Sequence, residues 1–185
     1  MPPAARAAGV PRTLTPMART DPAPPAERLE HADVRVAAVV AGFHRMIAEE
    51  LLKGAIARLG ESGLPADAVD VHWIPGAYEA PAAAQALAQT GRYAAIMALG
   101  AVIRGETAHF EYVCDAAANG LMRVSLDTGV PCAFGILTCD TLLQAEARAG
   151  GDKGNKGDEA ADAAVSMINL LASARAMGPG GASRS

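Results

Sequence analysis

The sequence predicts an α/β fold, a three-layer α/β/α sandwich around a four-stranded parallel sheet. Short apolar runs alternate with longer stretches of helical period along most of the chain. The runs are apolar almost throughout rather than at every second residue, which suits strands covered on both faces. The composition is 51% hydrophobic but only 4% aromatic, so the core must be built from closely packed Ala, Val, Ile and Leu.

"VRVAAVVA" at 34–41 is the first strand. "AEELLKGAIARLGESG" at 48–63 follows as a helix, with Leu51, Leu52, Ala55 and Leu59 at helical spacing and Gly60 and Gly63 at its end. "VDVHWIPG" at 69–76 is a second strand, stopped by Pro75 and Gly76. An Ala-rich helix, "APAAAQALAQTG", ends at Gly91, and "YAAIMALGAVI" at 93–103 is the third and most apolar strand. The helix "HFEYVCDAAANGLMRVSLDTG" tolerates Gly120, and "VPCAFGILT" at 130–138 is the fourth strand. "LLQAEARAG", a Gly/Lys connection read as a bent link between helices, and "DEAADAAVSMINLLASARA" complete the order β-α-β-α-β-α-β-α-α. Right-handed crossovers stack that order on both faces of the sheet.

A chain of 185 residues is one domain with tails: an arm over 1–32, a folded unit over 33–172 and a tail over 173–185. Residues 1–30 hold seven of the twelve prolines and have neither a signal-peptide core nor a helical stripe, so the expectation is a disordered arm. The net charge of −4 argues against a nucleic-acid partner, which needs a clustered basic face. No apolar run approaches the roughly 20 residues of a membrane span. Cys114, Cys132 and Cys139 are odd in number and form no Cys-x-x-Cys, which points to reduced thiols in a cytoplasmic protein. Neither metal-ligand spacing nor a G-x-S-x-G elbow is present, and "GAVIRG" is not a dinucleotide fingerprint.

In parallel sheets ligands bind beyond the carboxyl ends of the strands, so the loops there are ranked first. In "GAVIRGETAHF" at 100–110, His109 follows Gly105, Glu106 and Thr107 at the start of a helix. Free N–H groups and the positive dipole end favour an anion there and favour a neutral, proton-accepting imidazole. Glu106 or Thr107 as a simple N-cap, with His109 a solvated first-turn residue, fits the same spacing. Phe43 directly after the first strand can stack on a planar heterocycle or tuck beneath its helix. Glu79 in "PGAYEAP" can accept from sugar hydroxyls or answer the dipole of its own helix. Arg148 can clamp a phosphate or complement a helix C-terminus.

Together "PGAYEAP", "ALGAVIRGETAHFEYV", "TGVPCAFGILT", "QAEARAGGDKGNKGDEAA" and "AVSMINL" occur in an order that resembles the lumazine synthase family, from about residue 34 to 171. The resemblance implies a flavodoxin-like fold and the condensation of 5-amino-6-(D-ribitylamino)uracil with 3,4-dihydroxy-2-butanone 4-phosphate to 6,7-dimethyl-8-ribityllumazine, releasing phosphate and water. It implies no redox cofactor and no metal. It makes His109 the proton-transfer residue. Phe43, Ala77, Tyr78, Glu79, Ala101, Val102, Ile103 and Phe134 would take the pyrimidine and its ribityl chain, and Glu106, Thr107 and Arg148 the phosphate. The implied assembly is a homopentamer whose Phe134 and Arg148 serve the neighbouring subunit. The helix-helix loop without insertion favours icosahedral shells of pentamers, and riboflavin synthase is a further implied partner. Three places depart from the family's usual pattern: Gly42-Phe43-His44 stands for Arg-Phe-Asn, Tyr78 for Phe, and Asp152 for a lysine, while Lys156 keeps its place.

Overall fold

The computed structural model describes residues 25–30 and 33–177. Among them, β1 (Val36–Ala41), β2 (Val69–Ile74), β3 (Ala95–Ile103) and β4 (Cys132–Cys139) form one parallel sheet in the order β2-β1-β3-β4. The helices α1 (Arg45–Glu61) and α5 (Lys156–Ala176) cover one face, and α2 (Ala80–Gln89) and α3 (His109–Thr128) the other. The chain therefore has the flavodoxin-like α/β/α sandwich its sequence predicts.

The alternation of a strand decides how each layer is held. All six residues of β1 are buried; Val36, Ala38 and Val40 pack with Leu51, Leu59 and Val165, while Ala37 and Val39 pack with Ala84, Ala117 and Leu121. Small side chains let the layers approach closely. Ala80, Ala84 and Ala88 form the buried stripe of α2, and Gly120 in α3 meets Pro81, whose Cγ would lie 2.5 Å from an added Cβ. Gly120, in mid-helix, is thus a packing contact between α2 and α3.

Two local outcomes differ from the sequence expectation. α1 starts at Arg45 rather than 48, because its N-cap is His44, which makes no side-chain cap hydrogen bond and carries no capping signal. The expected bent link after the short α4 (Leu142–Arg148) is instead an antiparallel hairpin of β5 (Ala149–Gly151) and β6 (Gly154–Asn155). Its strands are too short and too rich in glycine to show period-two alternation. The hairpin delivers Asn155, whose side chain accepts from Gly157 N–H and caps α5.

Residues 27–30 lie against the sandwich. Asn169, buried on α5, accepts from Glu30 N–H at 3.0 Å and donates to Arg28 O at 2.9 Å and Glu27 Oε1 at 3.0 Å. Residues 1–24 of the expected arm and 178–185 of the expected tail lie outside the described residues. At the amino end of the sheet, Arg35 makes two hydrogen bonds to Asp70, at 2.5 and 3.2 Å, and Tyr93 OH donates to Asp70 at 2.9 Å. The Arg35 guanidinium first, and then the Tyr93 hydroxyl, hold the Asp70 carboxyl below its usual range. His72 belongs to this cluster, 3.4 Å from Tyr93 OH. Among the described residues no helix is long and apolar enough to cross a membrane.

Candidate active site

Strand order reverses between β1 and β3, and a cleft of about 560 Å³ opens beyond their carboxyl ends. The loop after β1 supplies Phe43 and His44, and the turn after β2 supplies Ala77, Tyr78 and Glu79. β3 supplies Ala101, Val102 and Ile103, and the segment into α3 supplies Thr107, His109 and Phe110. Nine of the residues expected at the site therefore meet around one opening: Phe43, Ala77, Tyr78, Glu79, Ala101, Val102, Ile103, Thr107 and His109.

Each of these groups is set by its element. Phe43 is 80% exposed, so its ring is not tucked beneath α1. His44 packs edge-on against it, with ring centroids 5.1 Å apart, and burial pushes the His44 imidazole below its usual range. The pairing of β3 with β1 stops at Val40 and Leu99, whereas its pairing with β4 continues to Ile103 and Cys139. The β1-side edge of residues 101–103 therefore stands open to the cleft with backbone groups to offer. Gly100 makes this divergence possible: its φ is +155°, and a Cβ there would lie 2.7 Å from Ala41 Cβ. In the turn after β2, Gly76 N–H donates to Glu79 Oε2 at 3.0 Å, so this carboxylate also braces its own turn.

The N-cap of α3 is Ala108, with no side-chain cap hydrogen bond. Neither Glu106 nor Thr107 is the cap residue; Thr107 Oγ1 only accepts a long 3.4 Å bond from His109 N–H. The first-turn amides thus keep donor capacity at the rim of the cleft, with the positive end of a 20-residue helix behind them. Glu106 is exposed in the same loop but does not line the cleft.

Phe134 and Arg148 do not join this group. They line a second cleft of about 400 Å³, on the β4 side, with Gln144, Lys156 and Glu159. Arg148 Nη1 donates to Gln144 O at 3.0 Å, and Lys156 Nζ pairs with Glu159 Oε1 at 2.5 Å. Within one chain the expected site is therefore divided between two openings.

A family model for 6,7-dimethyl-8-ribityllumazine synthase matches residues 33–172. The chain belongs to this family. Membership makes it an enzyme of lumazine synthesis in riboflavin biosynthesis. Two features of this lumazine synthase family member, one lining the cleft and one beside it, escaped sequence reasoning. Phe110 lines the opening, and Arg104 lies 4.1 Å from its ring while also bonding to Asp140 Oδ1 at 2.8 Å and to Glu111. The available signal was a charged residue immediately after an apolar strand, with carboxylates nearby in the fold but 7 and 36 positions away in sequence.

Proposed function

We propose that the chain condenses 5-amino-6-(D-ribitylamino)uracil with 3,4-dihydroxy-2-butanone 4-phosphate, releasing phosphate and water to give 6,7-dimethyl-8-ribityllumazine. The observation that carries this reading is the convergence of an exposed aromatic ring, an open strand edge and a helix start bearing His109 on one cleft. A planar pyrimidine stacks on Phe43 and meets the backbone of Ala101, Val102 and Ile103. The ribityl chain runs toward Ala77, Tyr78 and Glu79. The phosphate lies at the start of α3, beside Glu106 and Thr107, where amides and helix dipole favour an anion.

Joining an amine to a ketone and then eliminating phosphate requires protons to move at several atoms but no oxidant. His109, at the junction of the two substrate regions, carries those protons. Holding both substrates in reach supplies the rest, since well-oriented reactants behave as if present at about 10⁵ to 10⁸ M.

Phosphate binding is completed by Arg148, and the pyrimidine pocket by Phe134, both from an adjacent subunit of a homopentamer. The separation of these two residues from the His109 cleft supports that arrangement, as does the 44% exposure of Phe134. Assembly of pentamers into icosahedral shells, with riboflavin synthase as a partner, extends the same reading. The three free thiols suit a cytoplasmic setting. Mixing the assembled protein with both substrates and following lumazine absorbance tests the activity. Product formation is expected, and a flat trace from correctly assembled protein refutes it.

A further inference from the structure

Arg104 sits one residue beyond β3 and is followed by the exposed loop that leads into α3. Its backbone N–H donates to Cys139 O at 2.9 Å, which extends the β3–β4 ladder by one step. Its side chain then reaches in three directions. Nε bonds to Asp140 Oδ1 at 2.8 Å beyond the end of β4, Nη1 bonds to Glu111 in the first turn of α3, and the guanidinium lies 4.1 Å from the centroid of the Phe110 ring.

These contacts flank His109 in sequence and fall on the helix turn that it opens. Phe110 and Glu111 are the next two residues of the helix, and α3 begins at His109 without a side-chain cap. With no side-chain cap and only a long 3.4 Å bond from His109 N–H to Thr107 Oγ1 at this end, the anchors on residues 110 and 111 add the side-chain hold on the first turn. A planar guanidinium can satisfy two carboxylates and lie over a ring at once, which an ammonium cannot do.

We propose that Arg104 is a positioning residue for the reaction: by clamping the first turn of α3 to the ends of β3 and β4, it sets where the His109 imidazole stands in the cleft. This rests on the reading of His109 as the proton carrier. Arg104 does not line the cleft itself, so it acts through its neighbours rather than on substrate.

The test is a double-mutant cycle in the lumazine-forming assay, with Arg104→Gln, His109→Ala and the combined variant, each checked for native assembly. Arg104→Gln should lower kcat by about 10²-fold, the scale expected of a displacement near 1 Å, with the KM for the pyrimidine unchanged. Arg104→Lys should recover only part of that loss. The combined variant should be no slower than His109→Ala alone, because removing the imidazole removes what Arg104 positions. Losses that multiply, or a fully active Arg104→Gln beside a slow His109→Ala, overturn the role of Arg104 and leave that of His109 standing. A fully active His109→Ala overturns both. Should Arg104→Gln fail to assemble, Asp140→Asn removes one anchor only, and the same cycle with His109→Ala decides by the same outcomes.

Discussion

His109 and Arg148 divide the proposed chemistry between proton transfer and phosphate binding, and substitutions should separate the two. His109→Ala is expected to slow turnover by about 10² to 10⁴-fold while pyrimidine binding, measured by titration, stays nearly intact. Arg148→Ala should instead raise the KM for the phosphate substrate more than that for the pyrimidine, because a charge-assisted clamp on an anion is lost; equal changes in both contradict the assignment. At this scale much was legible before the fold was known. The residues of "GAVIRGETAHF" and "PGAYEAP" announced the cleft because a strand end, a turn and a helix start place consecutive residues together. Arg104 was not legible as a clamp, since its significance lies in Asp140, 36 positions away.

At the scale of elements, close approach outweighs helix propensity. Gly120→Ala would gain roughly 0.5–1 kcal/mol from propensity, but the added Cβ would meet the rigid Pro81 ring at 2.5 Å. Overpacking of that kind costs about 1–3 kcal/mol, so net destabilisation in a denaturant titration is expected. The amino end of the sheet should respond to acid. Asp70 is held below its usual range by Arg35 and then Tyr93, so it stabilises the fold above its unfolded pKa, and that contribution disappears as pH falls through the lowered folded value. Asp70→Asn should therefore reduce the loss of stability between neutral pH and the acid range, as read from thermal melts. The β5–β6 hairpin belongs to this scale as well: its strands of three and two residues are too short for any periodic signal.

For the whole molecule, the proposed pentamer, in which one site draws on His109 of one chain and Arg148 of the next, would make assembly a condition of activity. Co-assembled His109→Ala and Arg148→Ala subunits should contain some sites with both native residues. Assayed at limiting phosphate substrate, such mixtures are expected to exceed the average of the two parents. Activity at the parental average would mean that both residues serve one site within one chain.

The sequence by itself determined the layered α/β class and the order of the four sheet strands and their helices, because apolar period is a local property, and its motifs marked the loops that line the principal cleft. Only the tertiary structure decided that β3 outruns β1 to leave an open edge at residues 101–103, and that Phe134 and Arg148 line a second cleft with Gln144, Lys156 and Glu159. It alone joined Arg104 to Asp140 and Glu111. Strand register, relative placement of loops and the reach of a guanidinium depend on packing between distant segments, which no local pattern encodes.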